Sequence, residues 1–315
     1  MRCSIENTTN SVRYKTLVDH WKTLDELGVN EKISTKDPIT TEEDNTTNLN
    51  GLCFERGIFP GDRCKIWPCL LINSKYHMED PKNLTEFQMH EISSAIHSIE
   101  FDQNKSEIYL RFLKDILCSL AIFYPNTTLK SGICKILSIF IDVFVKSFIE
   151  NKNDSSQYLV EMNDDRVLEN KDARSFIFTL FISFISKNGN HHFLNGSEIF
   201  IHSFVDRINA VIECIDPCVT SRLAVHQMGN LDFLTSSIFM IYANNFSKVK
   251  LLRLWDSIIS FSDENDAIFP LFFHAALTIY LFNPMFMMNK GNSAENVIDQ
   301  MKNSDLEIVI RMADK

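Results

Sequence analysis

The stretch RGIFPGDRCKIWPCLL, residues 56–71, carries the pattern on which the fold assignment depends. Gly57 and Pro60 predict a turn that leads into a helix. Within that helix Arg63 and Trp67 are one turn apart and therefore share a face, while Leu71 continues toward the core. The pattern thus predicts a turn followed by a helix that presents an arginine beside a tryptophan.

A second informative stretch lies far downstream, FSKVKLLRLWDSIISFSDENDAIFPLFFHAALTIYL at residues 246–281. It contains Leu-Arg-Leu-Trp-Asp at 252–256, and its second half, from residue 267, is a nearly continuous apolar run that predicts a buried helix. Trp67 and Trp255 are expected to be core aromatics in any case, because large aromatic side chains dominate helical cores.

In this order the two stretches resemble the early and late signatures of TBC domains, the fold of Rab GTPase-activating proteins. The signature residues are Gly57, Arg63, Trp67, Leu71, Arg253, Trp255 and Asp256. The resemblance implies an all-α fold of mostly antiparallel packed helices. Within that family, SEIYLRF (106–112) and NSAENVIDQMKN (292–303) are similar to stretches in the small TBC-domain subunits of the tuberous sclerosis, or hamartin–tuberin, complex.

Composition agrees with a helical, globular protein. The chain has 315 residues, 45% hydrophobic, with 25 phenylalanines but only 9 glycines and 8 prolines, which favours long helices over a turn-rich β fold. A formal net charge of −10 disfavours binding to nucleic acid or to anionic lipid. The polar N-terminus lacks the apolar core of a signal peptide, so we expect a cytoplasmic protein with reduced cysteines, recruited to lysosomal or other endomembrane surfaces only through partners.

Polar and apolar segments predict the domain organisation. Residues 1–50 are expected to form a lead-in helix at 10–27 and a polar linker, and 51–305 the TBC domain. Polar residues at 151–174 predict a mobile excursion between helices, and 306–315 a C-terminal tail. Amphipathic helices are predicted at 85–98 and 106–124, and core helices at 176–185 and 267–288, which are too short or too interrupted to span a membrane.

The resemblance also identifies what is missing. Active family members supply an arginine from Ile-x-x-Asp-x-x-Arg and a glutamine from Tyr-x-Gln, and an arginine finger is worth roughly 10³–10⁵ in rate. Neither motif occurs in this chain. The nearest approach runs from Ile99 to Lys105 and ends in lysine, which lacks the planar fork of arginine. Lys105 and Arg63 are therefore only weak catalytic candidates.

Other chemistry has little support in the sequence. Cys214 and Cys218 with His202 and His226 could be arranged around a metal, but their spacing is not that of a zinc motif. His191 and His192 follow a turn and are expected to be exposed. No phosphate-binding loop or hydrolase motif is present, so we predict no metal and no cofactor.

One segment predicts a protein-binding helix, CKILSIFIDVFVKSFIE at 134–150. Its polar residues form one narrow stripe, so most of its circumference must be covered, either by the domain core or by a partner. The resemblance implies a hamartin-like coiled-coil helix as that partner, with these anchors: Ile136, Phe140, Val143, Phe144 and Phe148. The alternative, that this is simply a central core helix, stays open.

Two functions follow from this pattern. The first is a non-catalytic TBC-domain subunit that binds a hamartin-like helix and supports a tuberin-like GTPase activator acting on Rheb, which restrains TOR signalling. The second is an active Rab GTPase-activating protein with unorthodox catalytic residues, in direct contact with a small GTPase of the Rab or Rheb type.

Overall fold

A computed structural model describes residues 44–71, 84–99, 105–124, 131–150, 158–187, 198–261, 268–282 and 294–314. Within these ranges the chain forms thirteen α-helices and three short strands, so the fold is mostly α-helical, as predicted, with one small sheet added. The helices are α1 (Asp44–Arg56), α2 (Arg63–Leu71), α3 (Glu86–His97), α4 (Glu107–Phe123), α5 (Ser131–Phe144), α6 (Asn170–Lys187), α7 (Glu198–Ile215), α8 (Pro217–Val225), α9 (Asp232–Phe239), α10 (Lys248–Ser260), α11 (Ile268–Leu281), α12 (Ala294–Asn303) and α13 (Leu306–Ala313). The strands are β1 (Val145–Glu150), β2 (Tyr158–Met162) and β3 (Val167–Glu169).

Local sequence explains where the predicted helix pair begins. Thr85 caps α3 through a reciprocal capping box, in which its hydroxyl accepts from the Gln88 N–H and the Gln88 side chain accepts from the Thr85 N–H. Ser106 caps α4 by accepting from the Tyr109 N–H at 3.2 Å. The helices predicted at 85–98 and 106–124 are thereby confirmed, and so is the core helix at 176–185, as part of α6. The core helix predicted over 267–288 is confirmed as α11 from Ile268 to Leu281, and its predicted end at 283–288 lies outside the described residues.

The chain divides into two compact units. The first comprises residues 1–77, 140–184 and 255–264, and so includes α1, α2 and the sheet. Its strands are antiparallel in the order β1-β2-β3. The inward side chains of β2, among them Tyr158 and Val160, are buried. The sheet therefore has one face turned to the core.

The second unit comprises residues 78–139, 185–254 and 265–315. Helix α11 lies at its centre and packs against α7, α12 and α13, while α3 packs against α4. Almost every side chain of α11 is buried, which explains why this segment is apolar all round.

The helix predicted over 134–150 ends earlier than expected. Helix α5 stops at Phe144, and residues 145–150 instead form β1, paired with β2. The last carbonyls of α5 are satisfied from the turn after β2: the Asn163 N–H donates to Phe144 O at 2.8 Å, and the Asn163 side-chain amide donates to Val143 O at 2.9 Å. Because the helix terminus is capped by a later segment, the residues before it could not reveal where it ends.

The predicted domain boundaries need three corrections. Residues 158–169 form β2 and β3 rather than a mobile excursion, and α6 begins at Asn170, whereas residues 151–157 lie outside the described residues. The predicted tail at 306–315 contains α13, whose Leu306, Val309 and Ile310 are buried. Helix α1 begins at Asp44 with Leu49 buried, so the folded part starts before residue 51. The lead-in helix at 10–27 lies outside the described residues.

Candidate functional site

The two signature stretches meet inside the first unit, at the carboxylate of Asp256. Its Oδ1 accepts from Arg63 Nε at 2.9 Å and from Trp67 Nε1 at 2.8 Å. Its Oδ2 accepts from Arg63 Nη2 at 2.8 Å and from the Ile58 backbone N–H at 3.0 Å. Two donors therefore reach each oxygen, and three of the four come from side chains of α2.

The Arg63–Asp256 cluster is buried, so each of its charges depends on the other for stabilisation. Asp256 is 0% exposed and Arg63 only 3% exposed. Burial raises the pKa of Asp256, because a buried carboxylate loses its hydration, whereas the Arg63 guanidinium and the Ile58 and Trp67 N–H groups oppose that rise. All four groups that bond to the carboxylate are N–H donors, so a protonated carboxyl would find no acceptor for its hydrogen among them. The ionised form of Asp256 is the one this arrangement fits.

Aromatic rings pack around Trp67, one of the donors to Asp256. Trp67 packs against Phe140 with ring centroids 5.6 Å apart and against Trp255 at 6.3 Å. Gly57 shapes the entry to α2: its φ is 73°, and its N–H donates to Cys53 O at 3.0 Å, so it ends α1 in the left-handed conformation that glycine adopts without strain. The chain can thus turn and aim the Ile58 N–H at Asp256.

Arg253, the arginine of the second signature, makes a separate bidentate pair in the second unit. Its Nε and Nη2 donate to the two carboxylate oxygens of Glu307 in α13, at 2.8 and 2.9 Å. The Arg253 side chain is 4% exposed, but that of Glu307 is 48% exposed. Glu307 lies in the segment predicted as a tail and was not anticipated as a partner of the signature.

Arg63 is poorly placed to act as a catalytic finger. An arginine finger must project toward the phosphates of a bound nucleotide. The fork of Arg63 is already occupied by Asp256, and both side chains are buried. The arginine of the first signature therefore has a packing role in this structure.

Lys105, the other weak catalytic candidate, lies just before α4. Its ammonium is 4.4 Å from the centroid of the Tyr109 ring. This is a cation–π contact of the kind worth roughly 0.5–1 kcal/mol at an exposed site. Tyr109 in turn donates to the Ser138 carbonyl of α5 at 3.0 Å. Lys105 is thus held against α4 as a point charge, without the bidentate geometry of a guanidinium.

The predicted partner anchors lie mostly in the core. Ile136 and Phe140 are 0% exposed, and Phe144 is 1% exposed. Val143 is also buried, and Phe148 is half-buried on β1, where its ring meets that of Tyr158. The burial matches the alternative of a central core helix, and a partner could reach these side chains only if the domain opened.

Within the described residues there is neither a cluster of metal-binding side chains nor a helix able to cross a membrane. Cys214 and Cys218 are exposed at the corner between α7 and α8, and no group of three or more His, Cys, Asp or Glu side chains among the described residues is placed to hold a metal. None of the described helices combines the length and hydropathy that a bilayer crossing requires. His191 and His192 lie outside the described residues.

Comparison with known proteins agrees with this architecture. The family model of the Rab-GTPase-TBC domain matches residues 62–287. The chain belongs to this family. The crystal structure of the Ypt/Rab-GAP domain of Gyp1p is similar with a TM-score of 0.60 and 14% identity, over 94% of this chain and 97% of that chain. The Chlamydomonas flagellar RabGAP TBC domain is similar with a TM-score of 0.58 and 10% identity, over 95% and 90%. No curated protein matches the TBC chain by sequence.

Membership in the TBC family confirms the fold and leaves activity to be decided by the site. At 10–14% identity the structural likeness concerns the backbone. The signature residues of this TBC domain assemble a buried ion pair, while the Ile-x-x-Asp-x-x-Arg and Tyr-x-Gln motifs are absent from all 315 residues. The TBC fold of this chain therefore does not depend on the Ile-x-x-Asp-x-x-Arg and Tyr-x-Gln motifs.

Proposed function

We propose that this chain is a TBC-domain protein without intrinsic GTPase-activating activity that serves as a binding subunit of a GTPase-activating complex. The observation that carries the proposal is the occupation of Arg63 by Asp256, in a chain whose nearest approach to the Ile-x-x-Asp-x-x-Arg motif ends in Lys105. A finger must spread its charge over the transferring phosphoryl group, and neither side chain offers a guanidinium for that purpose.

The partners we propose follow from the resemblance of 106–112 and 292–303 to the small subunits of the hamartin–tuberin complex. A hamartin-like coiled coil would bind the chain directly, and a tuberin-like activator would act on Rheb to restrain TOR signalling. The protein would then work in the cytoplasm and reach lysosomal or other endomembrane surfaces through these partners. Burial of Ile136, Phe140 and Phe144 argues that the coiled coil contacts other residues of the domain.

The catalytic half of the proposal is tested with the purified chain and a panel of Rab GTPases together with Rheb. We expect hydrolysis at the intrinsic rate of each GTPase, against the roughly 10³–10⁵-fold stimulation that an arginine finger supplies. Lys105→Ala is the informative variant, and Lys248→Ala, on an exposed part of α10, is its matched control. Stimulation that Lys105→Ala abolishes and Lys248→Ala preserves would establish the alternative, an active GTPase-activating protein.

The partner half is tested by affinity purification from the native cell followed by mass spectrometry. Recovery of hamartin and tuberin homologues supports the binding-subunit role. Recovery of Rab proteins alone contradicts it, because a subunit of that complex would retain its companions. Arg63→Ala is unsuited to either assay, since it would leave the Asp256 carboxylate buried without its counter-ion.

A further inference from the structure

The three-stranded sheet has an outer face whose composition is unlike that of an ordinary solvated surface. Register pairs Ile149 of β1 with Leu159 of β2, and Glu161 of β2 with Val167 of β3. Alternate residues of a strand share a face, so these side chains all project to one side. Phe148, Val160 and Leu168 occupy the opposite side, toward the core. We name the outer sheet face by its members: Ile149, Leu159, Glu161, Val167 and Glu169.

Its three apolar side chains are well exposed. Ile149 is 46% exposed, Leu159 is 42% exposed and Val167 is 53% exposed. Ile149 and Leu159 lie directly opposite each other, at a separation where Cβ atoms are about 5 Å apart, and Val167 is a diagonal neighbour on the next strand. Clustered apolar side chains on an otherwise folded surface are typical of an interaction site, whereas isolated ones are not.

Charge decides which kind of partner suits the outer sheet face. The carboxylate of Glu161 is held by Lys146 at 2.7 Å and by the Ser147 hydroxyl at 2.6 Å. Glu169 is exposed on the same face, opposite Leu159. The carboxylates of Glu161 and Glu169 disfavour an anionic lipid surface. They also disfavour a second copy of a chain whose net charge is −10, since like charges would face each other.

We propose that the outer sheet face docks an amphipathic helix of a partner protein, with an apolar stripe that covers Ile149, Leu159 and Val167 and with flanking lysine or arginine near Glu169. A helix is the standard cover for one face of a sheet. Three strands spaced about 4.8 Å apart span roughly the diameter of one helix. This inference is independent of the proposed function, because it concerns neither the catalytic positions nor the identity of the complex.

The test uses the full chain and a defined probe. The probe is a synthetic 18-residue amphipathic helix of leucine and lysine, and its counterpart carries glutamate in place of every lysine. Binding is followed by fluorescence anisotropy. We expect the lysine helix to bind at least about tenfold more tightly than the glutamate helix, and less tightly as salt rises, because opposite charges attract most at low ionic strength.

Two variants and one control locate the contact. Leu159→Ser removes apolar area from the outer sheet face, and Glu169→Lys reverses its charge; we expect each to weaken binding of the lysine helix by about tenfold. Val225→Ser changes a side chain that is 78% exposed on α8, a helix of the second unit, and should leave the affinity unchanged. Circular dichroism establishes that each variant keeps the wild-type fold, which is expected because all three positions are exposed.

Several results would overturn the proposal. Equal binding of the two helices, or equal loss in Leu159→Ser and Val225→Ser, would show that the contact is unspecific. A wild-type dimer in sedimentation equilibrium that Leu159→Ser dissociates would assign the face to a second copy. Binding to vesicles containing phosphatidylserine, lost in Leu159→Ser, would assign it to a membrane. Failure in the GTPase assay would leave all of these measurements unaffected, so the two proposals fail separately.

Discussion

Replacing Asp256 by asparagine is the most direct test of how this TBC domain is held together. Asparagine has nearly the same volume as aspartate, so the change removes charge without opening a cavity. The structure makes the consequence severe, because Asp256 is 0% exposed and accepts from four N–H groups. An amide carries an acceptor oxygen and a donor NH₂, so two of the four donors would meet another donor.

The magnitude follows from the loss of the counter-ion. In Asp256→Asn the Arg63 guanidinium stays buried with no opposite charge, a situation that costs about 3–5 kcal/mol. A domain is stable by only about 5–15 kcal/mol, so the variant should unfold at a much lower urea concentration. A double variant, Arg63→Met with Asp256→Leu, removes both charges. It should recover part of the loss, although the Trp67 and Ile58 N–H groups would remain unsatisfied at about 1–3 kcal/mol each.

The second bidentate pair of the chain supplies a matched control. Glu307→Gln removes the same type of partner from the same type of arginine, but the Glu307 side chain is 48% exposed. Solvent screens that pair, so we expect a loss of about 1 kcal/mol or less. The assay is urea unfolding, monitored by far-ultraviolet circular dichroism, of the wild type, Asp256→Asn, the double variant and Glu307→Gln. The reasoning is refuted if Asp256→Asn is no less stable than Glu307→Gln.

Three further predictions test other parts of the structure. Burial lowers the pKa of His274 to about 3 from an ordinary value of 6.5, so the imidazole is neutral in the folded state. The contribution of this neutral imidazole to the free energy of unfolding is complete above pH 6.5 and is lost as pH falls toward 3, by about 2 kcal/mol between pH 7 and pH 5. The slope of the free energy of unfolding against pH should therefore flatten in His274→Gln. Thr85→Ala removes the capping box of α3 and should lower the free energy of unfolding by about 1 kcal/mol, whereas Thr85→Ser should retain it. Lys105→Arg completes the Ile-x-x-Asp-x-x-Arg spacing at residues 99–105 but adds no glutamine to orient water. We therefore expect GTP hydrolysis by Rab proteins to stay at its intrinsic rate, and a stimulation near 10³-fold would contradict this.

The helical part of this TBC domain could be predicted because its signals are local. Thr85 and Ser106 lie where capping residues are expected, immediately before apolar residues at three- and four-residue steps. The same signals occur in α13, where Asp305 caps a helix with Leu306, Val309 and Ile310 on its buried face. This run has only eight residues and follows a long domain, so its length resembles that of a tail, although its spacing is helical.

The sheet could not be predicted in the same way. Strand β2 has five residues, and its buried positions, Tyr158, Val160 and Met162, are separated by polar or exposed ones in a segment rich in charge. Strand β1 continues an apolar helical pattern without interruption, so its change of conformation at Val145 depends on pairing with β2 and on capping by Asn163. Interactions that join distant segments leave no signature in either segment alone.

The residues of the candidate site could be predicted from the sequence, but the hydrogen bonds that join them could not. Arg63, Trp67 and Asp256 were all identified from the two signatures, yet their spacing along the chain could not show that one carboxylate would accept from both side chains of α2. These signature residues, whose hydrogen bonds converge on Asp256, build the TBC fold. They are different residues from the arginine and glutamine that an activator needs for catalysis. The signature residues bond to one another in the core, so the packing of this fold does not require any of them to face a nucleotide. Among the described residues the outer sheet face is a separate surface, where exposed apolar side chains and acidic groups lie together.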